Sequence, residues 1–240
     1  MERRKLYTVI VFACLLLFTI MLGQKNSASG KKPVADYEYL IYLPDDYQAK
    51  PEKDFPLIIY LHGASLRGSD LNLVKKYGIP YLIEKGEQFD FIIVSPQCPL
   101  KKSWDSENWF DNLYAEVTAK YRVDADRVYL TGMSLGGFGT WSLAIEYPDK
   151  FAAIVPLCGG GKPEKICAIS HIPVWAFHGT SDSVVAITRT GELVTKLLKC
   201  NGNVKFTRLK GKGHAIQWVY EDRKIYSWML NHKRMQANKE

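Results

Sequence analysis

The chain is poor in cysteine and has no Cys-x-x-Cys pair. Its five cysteines stand apart at positions 14, 98, 158, 167 and 200. Neither a dithiol redox pair nor a thiolate metal site is therefore suggested. Internal repeats and an internal linker are also missing, so neither a repeat array nor a second folded domain is expected. Nor is charge of one sign gathered into a stripe. Lys31-Lys32, Lys75-Lys76, Lys101-Lys102 and Lys233-Arg234 are scattered, which speaks for solvated surface and against a nucleic-acid partner. The formal net charge is +7, of which residues 1–30 carry +3 (Arg3, Arg4, Lys5 and Lys25 against Glu2), leaving a mildly basic +4 for the remainder.

What the amino terminus does have is a basic start, Glu2-Arg3-Arg4-Lys5. An apolar run from Leu6 to Leu22 follows, then Gly23 and the small polar stretch Asn26-Ser27-Ala28-Ser29-Gly30. That order is the pattern of a secretory signal, and residues 1–30 are expected to be a signal peptide or an uncleaved amino-terminal anchor with a short linker. Membrane contact is expected only through this segment, and the protein is expected to be exported. Residues 31–240 then form one domain of ordinary size. In an exported chain Cys98, Cys158, Cys167 and Cys200 permit disulfides in three connectivities, among which the sequence does not choose.

Apolar runs alternate with helical patterns along this domain. Tyr37–Leu43, Phe55–Leu61, Phe91–Val94, Arg127–Leu130, Ala152–Leu157, Val174–Phe177 and Val204–Leu209 read as strands. Tyr77–Lys85, Asn108–Tyr121, Phe138–Glu146, Thr190–Lys199 and Trp218–Leu230 read as helices. Strands that are continuously apolar imply a sheet buried on both faces, so the fold class is α/β with a mostly parallel, doubly covered sheet. Functional loops of such a sheet gather at the carboxyl ends of its strands.

Gly132-Met133-Ser134-Leu135-Gly136 follows one such strand and precedes a helix, the setting that a G-x-S-x-G nucleophile turn requires. Side chains two positions either side of the serine would collide at so sharp a turn, which explains both glycines. Ser134 needs a base, and chain order in such turns runs Ser, acid, His. Of the histidines after Ser134, His232 lies in a charged tail, His171 precedes the strand that should present the acid, and His178 is expected to pack against the sheet end. His214, in the loop Gly211-Lys212-Gly213-His214, is the expected base. Asp182 is the one carboxylate in the loop after Val174–Phe177 and is the expected acid, holding the tautomer of His214. The oxyanion donors are expected to be the amides of Leu135 and of Ala64, which lies after the strand Phe55–Leu61, with His62 orienting that loop. Trp104, Trp109 and Phe110 fit either an aromatic wall for a substrate, with Trp109 as the candidate contact, or aromatic caps under a loop.

The segments YLHGA, SPQCP, RVYLTGMSLGGFGTW, PDKFAAIVPLCGG, PVWAFHGTSD and GKGH, in that order, resemble the esterase branch of the α/β hydrolases near the prolyl oligopeptidase, dienelactone hydrolase and feruloyl esterase families. The resemblance spans about residues 37–230. It implies the α/β-hydrolase fold, Ser134, Asp182 and His214 as triad, and metal-free, cofactor-free hydrolysis of small or polysaccharide-linked esters of feruloyl or acetyl type. Ser134 replaces the cysteine nucleophile of dienelactone hydrolases, and the chain is too short for a propeller. Where relatives commonly read Asp-Pro-x-Val-Pro, this chain has Asp182-Ser183-Val184-Val185-Ala186, which is expected to loosen the acid loop. Two other enzyme readings remain, a small serine peptidase of prolyl oligopeptidase type and a lysophospholipase. A third reading is a non-catalytic binding protein that retains the fold.

Overall fold

Seven β-branched and aromatic runs pair into one sheet in the computed structural model, which describes residues 36–106 and 108–234. The strands are β1 (Tyr39–Tyr42), β2 (Phe55–Leu61), β3 (Ile92–Pro96), β4 (Val123–Met133), β5 (Ala153–Leu157), β6 (Val174–Gly179) and β7 (Val204–Leu209). Their order is β1-β3-β2-β4-β5-β6-β7, with β1 antiparallel and every other neighbour parallel. The expected single-domain α/β-hydrolase fold with its mostly parallel sheet is therefore present. The leader expected over residues 1–30 lies outside the described residues. Among the described residues no helix is long and apolar enough to cross a membrane.

Strand periodicity divides the core. From β2, Leu57, Ile59 and Leu61 pack into one cluster while Ile58 and Tyr60 pack into the other, because successive side chains leave a sheet on opposite faces. The first face is covered by α2 (Trp109–Lys120), α3 (Leu135–Glu146) and α4 (Thr188–Lys199), which contribute Trp109, Leu113, Trp141, Leu143, Leu193 and Leu197. The second is covered by α1 (Gly78–Glu84) and α5 (Arg223–Leu230), through Ile79, Ile225 and Met229. The helix expected over Trp218–Leu230 is broken. A 3-10 turn, Gln217–Glu221, precedes α5, whose cap Asp222 accepts from the amide of Lys224.

One disulfide, Cys167–Cys200, ties the 3-10 segment Pro163–Ile169 to the end of α4. Cys98 and Cys158 are free and buried. Chain order reverses at β2, whose neighbours are β3 on one side and β4 on the other. The loops leaving β2 and β4 therefore part at their carboxyl ends and open a crevice between them, which is where ligands of open α/β sheets bind.

Candidate active site

Ser134 follows β4 in a backbone conformation that few non-glycine residues adopt, φ 58° and ψ −118°. Its amide donates to the carbonyl of Leu157 at 2.9 Å, and its carbonyl accepts from Phe138 at 2.9 Å. The strained turn is thus fixed to β5 on one side and to α3 on the other. The two glycines of the motif are sterically required. A Cβ on Gly132 would lie 2.6 Å from the carbonyl carbon of Gly136, and one on Gly136 would lie 1.9 Å from the carbonyl oxygen of Leu61. Helix α3 begins at Leu135, three residues earlier than the expected Phe138, and so aims its amino terminus at the serine.

The structure brings the three expected triad residues together. His214 Nε2 lies 2.9 Å from Ser134 Oγ, and His214 Nδ1 lies 2.7 Å from Asp182 Oδ2. The carboxylate oxygen can only accept, so Nδ1 carries the proton and Nε2 is left to accept from the serine hydroxyl. Two loops are laced to hold this arrangement. Ser181 donates to the carbonyl of Lys212 at 2.9 Å, and the amide of Gly211 donates to Thr180 Oγ1 at 2.8 Å. Gly179 permits the close approach, since a Cβ there would meet the carbonyl oxygens of Lys212 and Gly213 at 2.3 Å. The acid loop is not loose, despite the absence of proline. Asp182 Oδ1 accepts from the amides of both Val184 and Val185 at 2.9 Å, which folds the loop back onto its own carboxylate. Burial pushes the Asp182 carboxyl up, but those amides and the His214 ring outweigh it and hold the carboxyl below its ordinary range.

The expected oxyanion donors both start helical turns. Leu135 is the first residue of α3 and Ala64 the first of the 3-10 turn Ala64–Leu66, where an amide has no partner within the helix. The preceding Gly63 faces Ser134 closely, since a Cβ built on it would be 3.7 Å from Ser134 Cβ. His62 orients this loop, as its position suggested. Its Nε2 accepts from the amide of Cys98 at 3.0 Å, which assigns the proton to Nδ1, and Nδ1 donates to the carbonyl of Gly63 at 2.7 Å. Burial pushes the ring down to about 4, with the nearby Arg67 acting in the same direction. His62 is therefore neutral at ordinary pH.

Trp109, the candidate substrate contact, does not reach the crevice. It is 1% exposed and stacks on Tyr37 with ring centroids 5.1 Å apart. Its Nε1 donates to the carbonyl of Trp104 at 3.0 Å, and Trp104 Nε1 donates to the carbonyl of His62, also at 3.0 Å. These rings brace the loop that follows β2, so the cap reading of the aromatics describes them. The side chains that line the cleft at Ser134 and His214 include Tyr60, Leu66, Tyr77, Met133 and Gln217, around a volume of about 370 Å³. Sequence reasoning missed Tyr60 because it sits inside an apolar strand, and Tyr77 because it opens a helix. A larger groove of about 790 Å³ runs between α4 and β7 and holds none of the triad.

One group of metal-ligand type occurs among the described residues. Cys158, His178 and Asp182 have ligand atoms within 4.8 Å of one another. Those atoms are already engaged. Asp182 accepts from His214 and two amides, and the His178 nitrogens contact Thr190 and Val185.

Residues 31–189 match the esterase family, described as "Putative esterase". The chain is 30% identical over 180 residues to feruloyl esterase D of Neurospora crassa, covering 68% of this chain and 59% of that protein. It is 28% identical over 215 residues to a probable feruloyl esterase C of Aspergillus flavus, covering 81% and 77%. Among solved structures, a thermostable esterase is 31% identical with a TM-score of 0.69, over 82% of this chain and 59% of that one. A mutant of the feruloyl esterase module from Clostridium thermocellum, complexed with sinapinate, shares the fold at 19% identity and a TM-score of 0.62, over 85% and 86%.

Proposed function

The chain belongs to the esterase family, and we propose that it is an exported serine carboxylesterase that forms an acyl-enzyme on Ser134. The observation that carries this reading is the unbroken chain from Ser134 Oγ through His214 to Asp182, at 2.9 and 2.7 Å, opening on a cleft of about 370 Å³. Ser134 Oγ attacks the ester carbonyl while His214 Nε2 takes its proton. Asp182, held ionised by its amides, stabilises the imidazolium so formed. The Ala64 and Leu135 amides receive the charge that develops on the carbonyl oxygen. His214 returns the proton to the departing alcohol. It then takes a proton from water, whose oxygen attacks the acyl carbon, and Ser134 regains its hydroxyl as the acid leaves.

The walls of the cleft support a substrate class. The cleft sets Tyr60 and Tyr77 beside Leu66 and Met133, a lining suited to a planar aromatic acyl group. A second depression of about 310 Å³ begins at Leu135 and runs past Trp104, Asp105 and Arg189, which leaves room for a bulky alcohol such as a sugar. The names of the relatives, feruloyl esterases among them, support phenolic acyl esters of carbohydrates. Export is supported by the signal-like leader and by the Cys167–Cys200 bridge, which persists only under oxidising conditions in most organisms.

A panel of methyl ferulate, acetylated xylan, p-nitrophenyl esters of rising chain length and prolyl anilides tests this proposal. We expect methyl ferulate to give the highest kcat/KM. Cleavage of the anilides alone would replace the esterase reading with the peptidase one.

A further inference from the structure

His178, the penultimate residue of β6, has its ring wholly buried, and its contacts account for more protons than a neutral imidazole has. Its Nε2 lies 2.8 Å from the carbonyl oxygen of Val185. A carbonyl only accepts, so Nε2 bears a proton. Its Nδ1 lies 2.8 Å from Thr190 Oγ1, and that hydroxyl in turn lies 2.7 Å from the carbonyl oxygen of Gly159. A hydroxyl has one proton to give. If it goes to Gly159, as the carbonyl demands, then Nδ1 must donate to Thr190. If instead it goes to Nδ1, two buried oxygens face each other at 2.7 Å with no proton between them, and the Gly159 carbonyl has no other side-chain donor among the described residues. The counter-charge for a second ring proton is in place. Asp182 Oδ2 is 3.3 Å from His178 Nε2, with both side chains fully buried, so Oδ2 stands between the two imidazoles of His178 and His214.

We infer that His178 is a buried imidazolium and a positioning residue for the triad, sharing the charge of Asp182 with His214. The sequence places His178 at the sheet end as a packing residue, and nothing in that placement requires a charge. A buried cation is tolerable here because it has a carboxylate and two fixed acceptors. The other charged and titratable groups nearby do not supply an alternative partner. Cys158, at the end of β5, has its thiol pushed up to about 12 by burial and is neutral. Arg189 and Glu192 on α4 and Arg208, which pairs with His178 across β7, are all exposed to solvent. The consequence falls on His214. A carboxylate that already faces one cation pulls less strongly on a proton at the second ring. His214 is then kept free to act as a base, while the Asp182 carboxylate still fixes its tautomer.

This inference rests on the triad reading above, and the test separates the two. Ring-selective ¹⁵N NMR of the Ser134→Ala protein reads His178 directly and needs no activity. We expect both His178 ring nitrogens to be protonated at pH 7, and a single protonated nitrogen would overturn the proposal. The pH profile of p-nitrophenyl acetate hydrolysis reads the consequence. His178→Gln, which removes the cation, and Thr190→Val, which removes the acceptor that keeps the second proton, should each move the acid limb of kcat/KM to higher pH by about one unit. That shift is roughly a tenfold loss on the limb, with less change on the plateau. If the Thr190→Val protein folds and its acid limb stays where wild type has it, His178 is a neutral packing residue. If no protein hydrolyses the ester while NMR finds two ring protons, the esterase reading fails and the charge assignment stands.

Discussion

His62 offers a prediction whose size can be worked from its two hydrogen bonds. The ring is buried, accepts from the Cys98 amide at 3.0 Å and donates to the Gly63 carbonyl at 2.7 Å. Burial pushes its pKa down to about 4 from an ordinary value of 6.5. Between those two pH values the unfolded chain takes up a proton that the folded chain refuses, so stability rises with pH across the window. The contribution is complete above about pH 6.5 and is lost as pH falls through about 4. At about 1.4 kcal/mol per unit, the span is about 3 kcal/mol, of which about 2 kcal/mol is gone by pH 5. Replacing His62 by Phe removes this titration and both hydrogen bonds. Leaving the Cys98 amide unpaired, while the Gly63 carbonyl keeps the Leu66 amide at 3.2 Å, should cost about 1–3 kcal/mol at pH 7. The assay is urea unfolding of wild type and His62→Phe at pH 7 and pH 5, with kcat measured alongside. Wild type should lose about 2 kcal/mol more than the variant between the two pH values. Because Gly63 leads directly into Ala64, kcat should fall by about ten- to a thousandfold, with the upper end matching the loss of one oxyanion donor. Equal losses at both pH values would refute the buried neutral ring. An unchanged kcat in the destabilised variant would refute its hold on the oxyanion loop.

Four further outcomes follow from the same geometry. Gly136→Ala drives a Cβ to 1.9 Å from the Leu61 carbonyl, and should cost more than about 4 kcal/mol or prevent folding. A well-folded, active variant by circular dichroism and ester assay would contradict the backbone contact. Reducing the Cys167–Cys200 bridge, which spans 33 residues, should lower stability by about 3–4 kcal/mol. Native protein should also expose neither Cys98 nor Cys158 to a thiol reagent, whereas rapid labelling of either would contradict their burial. Tyr77→Ala removes a half-exposed wall of the cleft. It should raise KM for methyl ferulate several-fold while leaving kcat nearly unchanged, and an effect on kcat alone would place Tyr77 elsewhere in the reaction.

Much of the fold could be read from the chain because its strands are buried on both faces. Phe55–Leu61 and Val204–Leu209 stand out as runs with the same limits as β2 and β7. β4 is longer than its apolar part, since Val123–Arg127 carries Asp124, Asp126 and Arg127 and pairs with β2 through Val123 alone. The short 3-10 turns at Leu71–Lys76 and Gln217–Glu221 have no period long enough to register in sequence. Asp222, three residues before Ile225, was a signal that could have marked the true start of α5. The meeting of Ser134, Asp182 and His214 was legible because a serine-hydrolase reading prescribes their residue types and chain order. The cleft walls were not, since Tyr60 and Met133 carry no feature distinguishing them from core residues. Trp109 misled for the opposite reason. An aromatic near an active-site loop suggests a substrate face, but its burial under that loop depends on Tyr37, which is 72 positions earlier in the chain. The tightness of the acid loop was equally hidden, because it arises from Asp182 folding back on its own following amides.

The most direct test of the account is covalent. A fluorophosphonate probe should add once to the wild-type protein, with the adduct mapped by peptide mass spectrometry to Ser134, and should not add to Ser134→Ala. Failure to label the folded wild type, or equal labelling of Ser134→Ala, would contradict the assignment of Ser134 as an activated nucleophile.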